Sequence, residues 1–501
     1  MKQSTRYTLW LALICYALTA LYFSNQLGMT EQESYYWLWS KNLDWSYFDH
    51  PPLQAWLTAM LTYFLGDEKW VVRLPAICGV FATLILFYHW VRSKWGDQAA
   101  QLSSILLVSS NVFLFGSVIA LPDSLAIPLG LAAIIYTERG KVIRASIFLG
   151  LSLLAKWTVF FIVPGLLFNF YQQKKLNRKN LFLLIIIPLI LHSPVIWWNI
   201  LHGGASIKFH LYDRHSHEFQ TLLNYFKNIG AFLLTQIFAI GLVSSALIII
   251  LLIQLKKSRI SEVPRSQWQS LLAWILPGLV VVFISAIQGE DRFYWTFLSW
   301  IPAIAVLGHL VSVQKYFNIR LIKVGTIGFI FIKWALAGAA GFYPVGTMVE
   351  AVFHLKHDLR HSPIGDISGW REWLDHDLMR HHLIDIHTAL IGSDLHVTSR
   401  MAWSMREHKI FNFIGVNSEK QNQFQFWSQP EPPEFTNAIF FGDNRYDHLT
   451  EFQNRCGHPL LWNTSEIRVI GQPVKEIYWS RCLDLKYYDP RKTTAHFGVK
   501  L

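Results

Sequence analysis

Residues 29–56, MTEQESYYWLWSKNLDWSYFDHPPLQAW, gather two glutamates, paired tyrosines and an Asp-His-Pro-Pro turn into one short stretch. Glu31 and Glu33 follow directly on an apolar segment, where charge is costly unless it is paired or performs chemistry. A loop built this way suggests chemistry at a membrane surface. Tyr35, Tyr36, Trp37, Trp39, Trp45, Tyr47 and Phe48 crowd behind them. Such rings fit a membrane interface, apolar on the face and polar at the edge, and could also stack on sugar. Asp49 and His50 precede Pro51-Pro52 in a rigid turn and could orient a reacting partner. Each group also has a plainer reading. Glu33 could be an acid favoured by a helix N-terminus, the rings an interfacial belt, and Asp49 a turn stabiliser.

The elements that must position this stretch are membrane helices. Hydrophobic residues make up 52 % of the 501. Apolar runs recur from Tyr7 to about Tyr343, many close to the ~20 residues that cross hydrocarbon. The spans read near 7–28, 70–91, 99–121, 124–137, 145–157, 158–173, 181–200, 229–255, 268–287, 296–313 and 324–343. That describes a polytopic α-helical membrane protein of about eleven transmembrane helices. Ala17 and Ala20 mimic a cleavage site, but the spans that follow make the first run an uncleaved anchor.

Charge orients these spans. Alternate loops carry Lys2/Arg6, Arg92/Lys94, Arg139/Lys141/Arg144, Lys174/Lys175/Arg178/Lys179, Lys256/Lys257/Arg259/Arg265 and Lys315/Arg320/Lys323. The positive-inside rule puts that side, and the N-terminus, in the cytoplasm. The loop 29–69, Asp123 and the C-terminal region then face outward. Residues 1–343 carry +13 and residues 344–501 carry −2, so the net +11 is a topology signal that needs no nucleic-acid partner.

The basic loops at 138–144 and 174–180 leave only 29 residues, 145–173, to go out and return. Two full spans need about 40. This segment is therefore a short hairpin or a pair of shallow helices, tolerated at membrane depth only beside protein or a wet cavity. Lys156 lies near its turn, so a cavity is expected there, open outward. Asp123, after Pro122 in a very short outward turn, is the second carboxylate near that surface. The plainer readings are a helix cap for Asp123 and snorkelling for Lys156 and Lys333.

Residues 344–501 read as a separate soluble α/β domain. Strand-like runs (HTALIGS, AIFFGD, IRVIGQPV, EIYWSRCLDLKYY) mix with helical ones (WREWLDHDLMRHH, HVTSRMAWSMREH), and SQPEPPEF reads as a surface loop. Cys456 and Cys482 could form one structural disulfide in an oxidising compartment. Asp375, His376, Asp377, His381 and His382 cluster without a zinc signature and read as a solvated helix face. No Walker loop or dinucleotide fingerprint is present.

The pattern ESYYWLWSKNLDWSYFDHPPL closely resembles the opening loop of bacterial members of the dolichyl-phosphate-mannose-protein mannosyltransferase superfamily, which are GT-C glycosyltransferases. That group includes the aminoarabinose and galacturonic acid transferases of lipid A. ALPDSLAIPLGLAA, LAKWTVFFIVPGLLF, SPVIWWNILHGGASIKFH and LIGSDLHVTSRMAW follow in family order over most of the chain. The family usually has Asp-Glu before the paired tyrosines, whereas Gln32-Glu33 stands here. The resemblance implies transfer of a sugar from a polyprenyl-phosphate donor to a lipid, glycan or protein acceptor at the periplasmic face of the inner membrane. It implies inversion at the anomeric carbon, with Glu33 as base or acceptor-positioning group and Asp123 as the second carboxylate. Lys156 would meet the phosphate, with Arg292, Lys41 and Arg73 as further cations; His202 and Asn199 would line the acceptor side. Some such enzymes use a divalent cation and others do not, so that cofactor stays open. The competing class is a membrane transporter or lipid flippase, for which inverted repeats and charges crossing the bilayer are expected.

Overall fold

The computed structural model describes residues 18, 20–22, 24–25, 27–116, 119–211, 221–255, 265–288, 293–314, 317–341, 369–379, 381–384, 388–407, 414–416, 423–425, 427, 437–443, 452–453, 456–469, 472–484 and 498–499. Its helices are α1 (Glu31–Lys41), α2 (Leu53–Leu65), α3 (Lys69–Ser109), α4 (Asn111–Gly116), α5 (Asp123–Glu138), α6 (Val142–Ala155), α7 (Val163–Gln172), α8 (Arg178–Leu191), α9 (Ser193–Leu201), α10 (Ala205–Leu211), α11 (Leu222–Ile240), α12 (Leu242–Leu255), α13 (Arg265–Ile287), α14 (Phe297–Val313), α15 (Ile319–Gly341) and α16 (Leu395–Met405). The chain folds into two compact units. One takes in the described residues of Met1–Leu21, His50–Gln54 and Arg73–Trp334; the other those of Tyr22–Asp49, Ala55–Val72 and Ala335–Leu501.

The first unit is helical. At 41 residues α3 would be about 60 Å long, twice the hydrocarbon core. It is not one rod, because Gly96 leaves helical geometry at φ 83° and ψ 179°, a region only glycine enters readily. Arg92 pairs with Asp97 across this break at 2.7 Å. The expected spans 70–91 and 99–121 lie on either side of it.

Three basic loops share one side of this unit. Lys94 meets Glu138 at 2.7 Å, and Gln173 and Lys175 donate to the carbonyls of Thr137 and Gly140 at 2.9 and 3.0 Å. Between the second and third loops, α6, a 3-10 turn (Trp157–Ile162) and α7 run out and back. With 14 and 10 residues, α6 and α7 are about 21 and 15 Å long, short of the ~30 Å hydrocarbon core. This is the short hairpin expected of 145–173. Lys156 breaks it, its extended backbone (φ −159°, ψ 137°) ending α6.

Among the described residues three helices are long and apolar enough to cross a membrane, or up to five if each of two bent pairs is one span. The bent pairs are α8 with α9 at 58° and α11 with α12 at 108°, so the expected spans 181–200 and 229–255 are not straight. Leu53–Leu65, Val142–Ala155 and Trp157–Gln172 are shorter apolar segments. Most of the expected first span lies outside the described residues. Lys333 does not snorkel: its ammonium donates to the Ser109 carbonyl at 2.8 Å.

The second unit is built on one mixed sheet. Its strands are β1 (Thr388–Gly392), β2 (Ile414–Val416), β3 (Asn437–Asp443), β4 (Asn463–Val469), β5 (Gln472–Cys482) and β6 (Gly498–Val499), in the order β4-β5-β3-β1-β2-β6. β1 runs parallel to β2 and β3, with Leu390 opposite both Ile414 and Ile439. β5 runs antiparallel to β3 and to β4, and β6 antiparallel to β2. Every residue of β1 is buried, as a central parallel strand covered on both faces requires. Asp394 caps α16, accepting from the amides of His396 and Val397 at 2.5 and 3.2 Å. Cys456 and Cys482 are bonded, their Cα atoms 5.8 Å apart, against Ala389, Ile391 and Phe440. The aromatic stretch around α1 belongs to this unit and lies on α16, with Trp37 edge-on to Trp403 at 5.1 Å.

Candidate functional site

Asp123 is the first residue of α5, after Pro122. Its carboxylate accepts a hydrogen bond from the Lys156 ammonium, with side-chain exposures of 16 % and 3 %. Lys156 therefore turns inward to a counter-charge instead of reaching for the surface. The ammonium also lies 4.9 Å from the centre of the Tyr294 ring, a second source of stabilisation for a desolvated cation. Trp157, next in sequence, donates its indole N–H to His192 at 3.3 Å, at the bend between α8 and α9. A cavity of about 150 Å³ adjoins the pair, lined by Val80, Phe113, Leu121, Ile127 and Phe297, with Asp123 and Tyr294 in its wall. That volume admits a benzene-sized apolar guest. The two residues that hold Lys156 thus both line a largely apolar slot.

Close packing of small residues places these groups. Ser152 Oγ on α6 donates to the Ala126 carbonyl on α5 at 2.6 Å. Ser124 Oγ donates to the Gly116 carbonyl at 3.1 Å. Gly79 on α3 lies so near the first turn of α5 that a Cβ would come within 2.0 Å of the Ser124 carbonyl oxygen.

The second unit brings Tyr35 and Asp49 together. The Tyr35 hydroxyl donates to Asp49 Oδ2 at 2.6 Å and accepts the backbone N–H of Gln423 at 2.7 Å. Burial, with the Asp49 carboxylate beside it, holds the Tyr35 phenol well above its ordinary value of about 10. Burial likewise raises Tyr47, whose hydroxyl donates to the Trp39 carbonyl at 2.9 Å. Such a phenol favours folding while it keeps its proton. Below pH 10 folded and unfolded chains are both protonated; above it the unfolded chain ionises first, and stability falls. Melting followed by tryptophan fluorescence is expected to show a falling midpoint above about pH 10, less steep in Tyr35→Phe. An equal slope in that variant would rule Tyr35 out as a source.

The ring cluster is not an exposed belt. Tyr35, Tyr36, Trp37, Trp39, Tyr47 and Phe48 are buried, and only Trp45, at 56 % exposed, faces out. Tyr36 packs edge-on to Trp39 at 4.8 Å, and Trp39 stacks on Tyr47 at 4.5 Å. Glu33 is wholly buried in a capping box: it accepts the Thr30 amide at 3.0 Å while Thr30 Oγ1 accepts the Glu33 amide at 3.3 Å. Glu31 meets Arg400 on α16 at 2.7 Å and His396 at 3.8 Å.

The remaining candidates separate by what they touch. Lys41 pairs with Asp67 at 2.7 Å. Arg73 is 1 % exposed on α3, and His50 is half-buried. Asn199 donates to the Val195 carbonyl at 3.0 Å and accepts from the Ile207 amide at 3.4 Å, tying α9 to α10. His202 stacks on Trp198 at 4.1 Å, its Nδ1 2.8 Å from the Trp198 carbonyl. Arg292 lies outside the described residues. The His-rich segment is a solvated face as expected, with Asp375 and His376 exposed and Asp375 paired to Arg371 at 2.9 Å. Cys456, His458 and Cys482 form a group with metal-ligand spacing among the described residues. Bonded as a disulfide, the two sulfurs are not thiolates, so the group does not fit a metal in this state. Sequence reasoning missed Tyr294, His192, Arg400 and Gln423, all brought in from distant segments.

Comparison with known proteins places these features. The family described as dolichyl-phosphate-mannose-protein mannosyltransferase matches residues 49–198. The lipid A galacturonosyltransferase RgtD of Rhizobium johnstonii is 26 % identical over 195 residues, 35 % of this chain and 39 % of that relative. The match therefore spans well under half the length of the curated relative. The fold resembles crystal structures of ArnT from Cupriavidus metallidurans, one bound to undecaprenyl phosphate and one in the apo state, each at TM-score 0.62 and 12 % identity. The alignments cover 94 % and 95 % of this chain and 98 % of each ArnT chain.

Proposed function

We propose that the chain is a GT-C glycosyltransferase that transfers a sugar from a polyprenyl-phosphate donor to an acceptor hydroxyl, a reading supported by the family match over residues 49–198 and by the ArnT-like fold. The acceptor would be lipid A, lipopolysaccharide or another cell-envelope glycan at the periplasmic face of the bacterial inner membrane. In this reading the chain crosses the bilayer about eleven times, with its N-terminus cytoplasmic and its C-terminal region periplasmic. The observation that carries the proposal is the buried Asp123–Lys156 pair, whose carboxylate stands in the wall of an apolar cavity. A lipid phosphate asks for this combination of an apolar slot for the tail, a cation for the head and a base beside it.

The acceptor oxygen attacks the anomeric carbon as the bond from that carbon to the phosphate oxygen breaks, so the centre inverts. The acceptor proton passes to Asp123. The bonding electrons stay on the polyprenyl phosphate, already stable as an anion. Lys156 faces that developing charge as a point donor. Asp49, which Tyr35 holds within the second unit, and His50 keep the proposed role of orienting a reacting partner. Glu33 fixes the start of α1 through its capping box. Asn199 and His202 keep the α9–α10 turn in shape.

The test is transfer of radiolabelled sugar in membranes carrying the full chain, using a panel of polyprenyl-phosphate sugars and lipopolysaccharide as acceptor. At least one donor should label the acceptor with inverted anomeric configuration. Labelling from nucleotide sugars alone, or retained configuration, would sink the proposal.

A further inference from the structure

We propose that Gln423, in the C-terminal region, is a positioning residue for Asp49; the inference rests on the glycosyltransferase reading above. Gln423 is wholly buried, and both its backbone and its side chain are used. Its N–H donates to the Tyr35 hydroxyl at 2.7 Å, and that hydroxyl donates to Asp49 Oδ2 at 2.6 Å. Its side-chain Oε1 accepts the N–H of Phe48, the residue before Asp49, at 2.5 Å. Asp49 is thereby held twice, by its carboxylate through Tyr35 and by its backbone through Phe48.

The direction of this relay is fixed. The phenol keeps its proton, so it donates toward the carboxylate and accepts from the amide, and donors in series strengthen one another. The side-chain amide has one possible orientation, because the Phe48 N–H demands the oxygen. That leaves Nε2 buried with no hydrogen-bond partner among the described residues. An unsatisfied buried donor is costly. Methionine would fill the volume without that cost, so packing alone does not account for glutamine here. Neighbouring rings buttress the segment: Phe424 stacks on Tyr35 at 6.1 Å and Trp427 meets Phe424 edge-on at 4.9 Å. What glutamine adds is an acceptor that holds the turn carrying Asp49, and orientation is what a group facing a reacting hydroxyl needs.

Two substitutions separate positioning from packing. Gln423→Met keeps volume and removes the acceptor; Gln423→Glu keeps an acceptor oxygen but brings an acid into a buried place. Positioning puts Gln423→Glu above Gln423→Met in kcat, the methionine variant falling roughly tenfold with the donor KM unchanged. Packing alone reverses the order. Combined with Asp49→Asn, the methionine variant should lose nothing further; additive losses would overturn the proposal. Independently of turnover, hydrogen–deuterium exchange of the Phe48 amide should accelerate in Gln423→Met, and unchanged exchange would overturn it too. Absence of transfer by the unaltered chain from every donor would instead remove the glycosyltransferase reading, and with it the catalytic role that Asp49 is positioned for.

Discussion

Asp123→Asn and Lys156→Met, each alone, should lower sugar transfer by roughly 100-fold or more, and together should recover thermal stability without recovering transfer. The first half follows from two losses that coincide. Removing either member leaves the other charge, or its vacated partner, in a place where Lys156 is 3 % exposed. Breaking a buried pair in this way costs about 3–5 kcal/mol, because desolvation is no longer offset by attraction. Asp123→Asn also removes the proposed base, and general-base catalysis typically contributes about 10²–10⁴ in rate. The second half is what discriminates. With both substitutions in place the pair is neutral, no charge is left uncompensated, and such replacements are often neutral or stabilising. If the pair only held α5 against the hairpin, the double variant would regain transfer with its melting temperature. If the carboxylate and the ammonium act on the substrate, melting recovers and turnover does not. The measurement is kcat at saturating donor beside a thermal melt of the same detergent-purified samples. Recovery of both would assign the pair to structure alone.

The groups of that first unit were legible because their signals are local. Lys156 stands alone in an apolar run between two basic loops too close for a pair of full spans, which points to a short hairpin or shallow helices; that its ammonium meets Asp123 was not legible. Pro122-Asp123 marks a helix start, and the Arg92/Lys94 cluster before Gly96 marks the break in α3. The β1, β3 and β5 strands were legible for the same reason, as compact apolar runs between polar breaks. The aromatic stretch was not. Its composition is the same whether the rings meet lipid, sugar or protein, and what covers them lies more than 350 residues away, as the Phe48–Gln423 bond shows. The covering residues, in NQFQFW, carry no periodicity or motif that points back to Tyr35. Glu33 is an intermediate case. Thr30-x-x-Glu33 has the capping-box spacing, a structural role that an acid next to a membrane span does not announce by its charge alone.

Gly79→Ala should be nearly as damaging as loss of the Asp123 charge, although its added methyl is chemically inert. The Cβ would fall 2.0 Å from the Ser124 carbonyl oxygen and 2.9 Å from its carbon. Both are backbone atoms of the first turn of α5, so no side chain can rotate away, and the helix start itself must yield. Overpacking of this kind costs about 1–3 kcal/mol. Asp123 precedes Ser124, and the shift is therefore delivered to the carboxylate that pairs with Lys156. A displacement of about 1 Å at a reacting group is worth on the order of 100-fold in rate. Gly308→Ala serves as the matched control. Its Cβ would lie 2.0 Å from Ser103 Oγ and 2.7 Å from the Ser103 nitrogen, equally tight but behind residues that do not line the cavity. Gly230→Ala is the open control, with no heavy atom within 4 Å of its Cβ. Melting temperature should fall in both tight variants, while kcat per folded molecule falls only in Gly79→Ala. A comparable kcat loss in Gly308→Ala would show that general loosening of the helices, and not the placement of Asp123, governs the rate.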